Sequence, residues 1–170
     1  MPISYRDLRA AAPRIQQRYR SLYEARTAGA KSAFLSHSHL DQELVKGLVA
    51  KLQESGWLIY VDWADHTMPN RPNRETAKKI KDKILETTYF LFLATQNSMN
   101  SRWCPWEIGY ADGTKSIENI FVIPTADDNG ITHGNEYLDL YRRIDLTNVN
   151  NRLGAFNPTE VNGMFVENIR

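Results

Sequence analysis

An α/β domain built on a parallel sheet is what this chain predicts, and three observations lead there. From Ala33 onward, short apolar runs alternate with amphipathic segments of helical spacing. The runs are apolar throughout, as in strands covered on both faces. Strand–helix alternation of this kind places parallel strands between two layers of helices.

Each element has its own signal. Residues 4–27 read as a helix, broken or kinked near Pro13, with Leu8, Ile15, Tyr19 and Leu22 along one face. "TAGAKS" follows as a joint of small residues. "AFLS" (33–36) is the first strand. Asp41 then stands as an N-cap, with Leu40 and Val45 placed for a hydrophobic staple. Leu44, Val45, Leu48, Val49 and Leu52 repeat at helical spacing, and Gly56 is a natural stop. "WLIYV" (57–61) is a second strand. Residues 62–75 form a loop marked by Pro69 and Pro72. A helix spans 76–86 with Ala77, Ile80 and Ile84 inward. "YFLFLA" (89–94) is central in the sheet, "NIFVIP" (119–124) is a fourth strand, and "RRIDL" (142–146) is a fifth at an edge. The tail after Asn148 reads equally as a weak helix or a packed strap. The expected division is a helical extension over 1–30 and one α/β domain over 31–170.

Bulk composition narrows the function classes. A length of 170 residues suits one core. Net charge is +1, which argues against a dedicated nucleic-acid binder. Arg6, Arg9, Arg14, Arg18, Arg20 and Arg26 crowd the first segment and read best as a solvated helix face. No stretch has transmembrane length and the N-terminus has no apolar signal region. Cys104 stands alone, so there is no disulfide framework. The expectation is a cytoplasmic protein with neither membrane nor nucleic acid as partner.

Ligands of open parallel sheets bind beyond the carboxyl ends of the strands. Three loops leave those ends: "SHSHLD" (36–41), "DWADHTMP" (62–69) and "TQNSMNSRWCPWE" (95–107). In the first, Ser36 and His37 are neighbours and point apart, which weakens a Ser–His dyad. His37, His39 and Asp41 have metal-like spacing, but Asp41 already serves as a cap and no further ligand cluster follows, so no metal is expected. A polar loop entering a helix N-terminus suits an anion such as phosphate. In the third loop, Pro105 fits the first helical position. Glu107 then falls in the first turn, where the helix dipole favours a carboxylate. That explains Glu107 but not Trp103, whose indole offers a flat face for a cationic ring. Trp106 reads as core packing. Gly-rich phosphate loops and the G-x-S-x-G elbow are both missing from the sequence.

"AFLSHSHLDQELVKGLVAKLQESGWLIYVD" and "SMNSRWCPWE" together resemble a Toll/interleukin-1 receptor (TIR) domain over about residues 32–147. "WCPWE" is similar to the W-C-x-x-E segment of TIR domains that cleave NAD. The loop after the second strand resembles that of bacterial standalone TIR proteins, including those of Thoeris-type antiphage systems. The resemblance implies a flavodoxin-like three-layer fold with about five parallel strands. It implies Glu107 as the catalytic carboxylate and Trp103 as the stacking aromatic. Phe34, Ser36, His37 and Asp62 are implied at the nucleotide site. The implied activity is that of an NAD glycohydrolase or cyclase with NAD as substrate and no cofactor. Implied partners are other TIR subunits and a separate effector that senses a diffusible product. The competing expectation is a non-catalytic adaptor acting through TIR–TIR contacts. A plain parallel-sheet domain with Glu107 as a cap explains the clustered aromatics least well.

Overall fold

A computed structural model of the protein describes residues 1–15, 31–62 and 73–169. Its core is five parallel strands: β2 (Lys31–Ser36), β3 (Trp57–Tyr60), β4 (Tyr89–Ala94), β5 (Ile120–Ala126) and β7 (Arg142–Leu146). They lie in the order β3-β2-β4-β5-β7. Counted as five successive strands this is the order 2-1-3-4-5 of flavodoxin-like folds, whose ligand crevice lies where the order reverses. Here that point falls between β2 and β4.

Side-chain alternation divides the core into two layers. Leu35, Leu91, Leu93, Phe121 and Ile123 face one side, where Leu44, Val45, Leu48 and Leu52 of helix α2 (Gln42–Glu54) cover them. Phe34, Phe90, Phe92, Ile120 and Val122 face the other. There Ile80 and Ile84 of α3 (Arg74–Glu86) and Ile108 and Ala111 of α5 (Cys104–Asp112) cover them. A short helix, α4 (Gln96–Met99), follows β4 directly. Successive residues of one strand thus point to opposite helix layers.

The N-terminal segment is part of this body. β1 (Ile3–Ser4) pairs parallel with β5, and α1 (Tyr5–Ala11) buries Leu8 against α2. A Cβ at Gly47 of α2 would lie 1.9 Å from the Leu8 carbonyl oxygen, so only glycine permits this approach. Ala12–Arg14 form a 3-10 turn around Pro13, as the break there leads one to expect. The rest of the expected helix, with Tyr19 and Leu22, lies outside the described residues.

Several sequence expectations are corrected. Asp41 precedes α2 without capping it, because its side chain is engaged elsewhere; Ser38 caps the 3-10 turn His39–Asp41 instead. Leu40 is 80% exposed, so no staple forms with Val45. β3 is an outer strand with Leu58, Ile59 and Tyr60 half-buried, not one covered on both faces. α3 starts at Arg74 because Asn73 and Thr76 make a reciprocal capping box. β7 is internal. The tail turns back through Asn150 and Asn151, both at positive φ, and adds β8 (Leu153–Phe156) antiparallel to β7. β9 (Gly163–Phe165) then pairs with β8. Asparagine is the usual non-glycine occupant of such a conformation. Gly56 ends α2 at φ +81°, as its position predicts. A two-stranded connection from β5 to β6 (Thr132–His133) completes the sheet of the described residues. No described helix is long and apolar enough to cross a membrane.

Candidate active site

Parallel pairing of β2 with β3 and β4 brings the loops at their carboxyl ends together. Ser36 closes β2 and shares the face of Phe34, the face on which α5 packs. Its hydroxyl therefore meets the first turn of α5, and Ser36 Oγ donates to Glu107 Oε2 at 2.5 Å. Glu107 is only 5% exposed. Burial pushes its carboxyl up to about 7; the Ser36 hydrogen bond works against the rise and the negative charge of Asp62 adds to it.

This is not the environment of a helix-capping acid. An acid that serves only the dipole sits in water, where its ionised form costs nothing. Glu107 is held in a dry position, and its main-chain N–H already reaches the Trp103 carbonyl at 2.8 Å. Half-protonated near neutrality, it is poised to ionise fully when a positive charge is brought beside it.

Two neighbours complete the cluster. His37 is buried, and its Nδ1–H donates to the Leu35 carbonyl at 2.9 Å. Its Nε2 faces Asp62 Oδ1 at 3.4 Å, and exposed His39 approaches the other Asp62 oxygen at 3.7 Å. Burial lowers the pKa of His37, and the nearby Asp62 charge opposes that. Cys104 is buried beside Ser101 and Ser36, and burial raises its thiol to about 11. It is thus a protonated packing residue at neutral pH and no nucleophile.

Trp103 precedes α5 and Cys104 is its first residue, so Pro105 takes the second helical position rather than the first. Trp103 and Trp106 are both half-buried and meet edge-to-face at 5.3 Å. Trp106 is not core. It stacks on Tyr110, and Lys81 of α3 lies over both rings at 5.6 and 5.1 Å. Phe34 is 1% exposed and packs between Tyr60 and Phe90 at 5.7 and 5.8 Å. The structure therefore brings Ser36, His37, Asp62 and Glu107 into one cluster, sets Trp103 at its α5 side, and leaves Phe34 inside the core behind Tyr60.

Sequence reasoning missed the frame that holds the cluster. Asp41, 3% exposed, accepts Thr95 Oγ1–H and Asn97 Nδ2–H, each at 2.6 Å. Thr95 and Ser98 form a capping box for α4. This ties the loop after β2 to the loop after β4 across the crevice. The only sequence signal was the Thr95-x-x-Ser98 spacing, which fixes a helix start but not its distant partner. Two cavities of about 610 and 570 Å³ lie elsewhere, around the β7–β9 strands and beside β6. Neither is lined by any of the cluster's residues. Residues 63–72, most of the expected loop after the second strand, lie outside the described residues.

Two curated relatives are similar to the chain. The probable 3′ cyclic ADP-D-ribose synthase ThsB′ of Bacillus cereus (strain MSX-D12) is 34% identical over 110 residues, covering 64% of this chain and 57% of that protein. The putative cyclic ADP-D-ribose synthase TIR2 of Cytobacillus dafuensis is 27% identical over 81 residues, covering 46% of this chain and 21% of that one. The match thus spans little more than half of the first relative and about a fifth of the second. Residues 33–155 match the family model for the TIR domain, a span that begins inside β2, ends inside β8 and contains every residue of the cluster. With the 2-1-3-4-5 parallel order and a crevice at its reversal, that match identifies the chain as a member of the TIR domain family.

Proposed function

We propose that the chain cleaves NAD at the bond between nicotinamide and ribose, yielding nicotinamide and either ADP-ribose or a cyclic isomer. The observation that carries this reading is the buried Glu107 carboxyl bound by Ser36. The names of the two relatives as cyclic ADP-D-ribose synthases support it.

The chemistry needs few groups. The ring nitrogen of NAD is already cationic, so nicotinamide leaves as a neutral molecule and no general acid is required. The electron pair of the broken bond goes to that nitrogen, and positive charge develops on the ribose. A carboxylate in a dry site stabilises that charge far better than one in water. Ser36 orients Glu107 by its hydrogen bond. Trp103 supplies an aromatic face for the pyridinium, and His37 and Asp62 line the entry to the crevice. Phe34 contributes by backing Tyr60. The ribose carbon is then captured by water, giving ADP-ribose, or by a nucleophile of the adenosine end of the same molecule, a ribose hydroxyl or a ring nitrogen, giving a cyclic product; the attacking O–H loses its proton to solvent. The reaction consumes no cofactor. A TIR–TIR assembly encloses the crevice, and the released nucleotide signals to a separate effector, with antiphage defence as the setting.

An adaptor acting only through surface contacts has no use for a buried carboxyl with a raised pKa. Incubation of the purified protein with NAD and mass spectrometry of the products tests the proposal. Nicotinamide release by the native chain is expected, with a hundredfold or greater loss in Glu107→Gln, a difference of about 3 kcal/mol in barrier. Full activity in folded Glu107→Gln would overturn the assignment.

A further inference from the structure

His37, His39 and Asp62 gather three metal-type donors at one rim of the crevice. The histidines leave the end of β2, and Asp62 follows the end of the neighbouring strand β3, so parallel pairing sets them side by side. One ligand atom from each lies within 4.8 Å of the other two. The separations of 3.4 Å from His37 Nε2 and 3.7 Å from His39 Nε2 to the two Asp62 oxygens are the informative ones. Bonds of about 2.0–2.1 Å in a tetrahedral zinc site put neighbouring donor atoms about 3.3–3.4 Å apart. His37 is thus at ligand spacing from Asp62 Oδ1, while His39 approaches the other oxygen, Oδ2, and has to turn for both rings to share one ion with the carboxylate.

The supporting hydrogen bond has the arrangement a metal ligand needs. His37 Nδ1–H donates to the Leu35 carbonyl, which fixes the ring and turns Nε2 toward Asp62. Ligating histidines are generally held through the second ring nitrogen in this way. His39 is the adjustable member, because its side chain is 71% exposed and a small rotation closes its gap. In the sequence the metal-like spacing ran through Asp41 and was set aside; in the fold that carboxylate is committed to Thr95 and Asn97. Asp62, distant in sequence and adjacent in space, takes its place.

We propose that His37, His39 and Asp62 form a binding site for a divalent transition-metal ion of the zinc class, supplying three of its ligands from the described residues. Two imidazoles and one carboxylate are a donor set suited to zinc, cobalt or nickel rather than to calcium or magnesium. The site shares His37 and Asp62 with the proposed NAD crevice, and metal binding is therefore measured in the absence of NAD, where the outcome does not depend on cleavage.

Titration of the purified, metal-free protein with Co²⁺, followed by visible absorption and calorimetry, tests the proposal. A single saturable event with the intense visible bands of four-coordinate cobalt is expected, displaced by Zn²⁺. The decisive variant is His39→Ala, whose exposed side chain can be removed without disturbing the core. It should weaken Co²⁺ affinity by about tenfold or more, as should Asp62→Asn. His133→Ala, at the other His–Asp pair (Nε2 to Asp127 Oδ2, 3.1 Å), should leave the isotherm unchanged. Absence of saturable binding, unchanged affinity in folded His39→Ala, or binding lost in His133→Ala would each overturn the site.

Discussion

At the scale of single residues, Glu107 ties the stability of the fold to the proposed activity. Its pKa in the folded chain is about 7, above the ordinary value of 4.5, because of burial. A raised pKa means that the folded state holds the proton more tightly than the unfolded one. The stabilisation is therefore complete below about pH 4.5 and is lost as pH rises through 7, about 3 kcal/mol in all. Glu107→Gln carries no such dependence. Melting curves of the two proteins should diverge between pH 4.5 and 8, with the variant gaining about 6–12 °C relative to the native chain. Parallel curves would mean that Glu107 is solvated after all. In the proposed reaction the same ionisation governs turnover, since the anion is the stabilising form: kcat/KM should rise with pH through about 7. Cys104, at about 11, does not titrate in that range. The two tryptophans differ in consequence rather than in burial. Trp103→Ala should lower turnover with little change in Tm. Trp106→Ala removes only a half-buried ring stacked on Tyr110, so its cost should fall below the roughly 3–5 kcal/mol of a core aromatic. A larger loss of turnover in Trp106→Ala would place the stacking wall on the other ring.

At the scale of elements, the contact of α1 with α2 depends on one missing methyl group. Gly47→Ala would drive a Cβ into the Leu8 main chain, which cannot move as a flexible side chain could. Overpacking of this kind costs about 2 kcal/mol or more, a fall in Tm of about 4–8 °C for a chain of this length. An unchanged Tm would show that α1 shifts at no cost. α1 also reaches the crevice, since Tyr5 lies against the Gln96 main chain and the Thr125 hydroxyl. Thr125 in turn donates to the Ala94 carbonyl. The N-terminal segment, which the sequence presents as an extension, thus braces the loop after β4, the loop that leads into α5 and Glu107.

At the scale of the whole molecule, the cluster occupies the carboxyl end of the parallel strands, and the proposed cyclisation requires that water be kept from the ribose carbon. In the proposed assembly a second TIR subunit helps to exclude that water, with the loop at 62–75 as the expected contact. Specific activity should accordingly rise with protein concentration or crowding. Charged substitutions of Met68 and Pro69, which lie outside the described residues, should blunt that rise without altering the far-UV spectrum. Activity per molecule that stays flat across a wide dilution series, with a monomer at every point, would sink this assembly.

The parallel strands were readable from the sequence because each signal is local. Six apolar residues in "YFLFLA" specify a strand covered on both faces wherever it lies, and a proline beside "WCPWE" specifies a helix start. Glu107 was singled out for the same reason, by its immediate neighbours. What no local pattern contains is which distant groups meet. Asp41 looked like a cap because Thr95 and Asn97 are more than fifty residues away. β7 looked like an edge because β8 announces itself only by a four-residue run and an Asn–Asn turn. Trp106 looked buried because hydrophobicity does not say which side of a helix faces the sheet. Whether Glu107 is a solvated cap or a carboxyl near pKa 7 was decided by the strand order alone. That order sets Ser36 and Asp62 beside it and removes the water that would otherwise hold its charge.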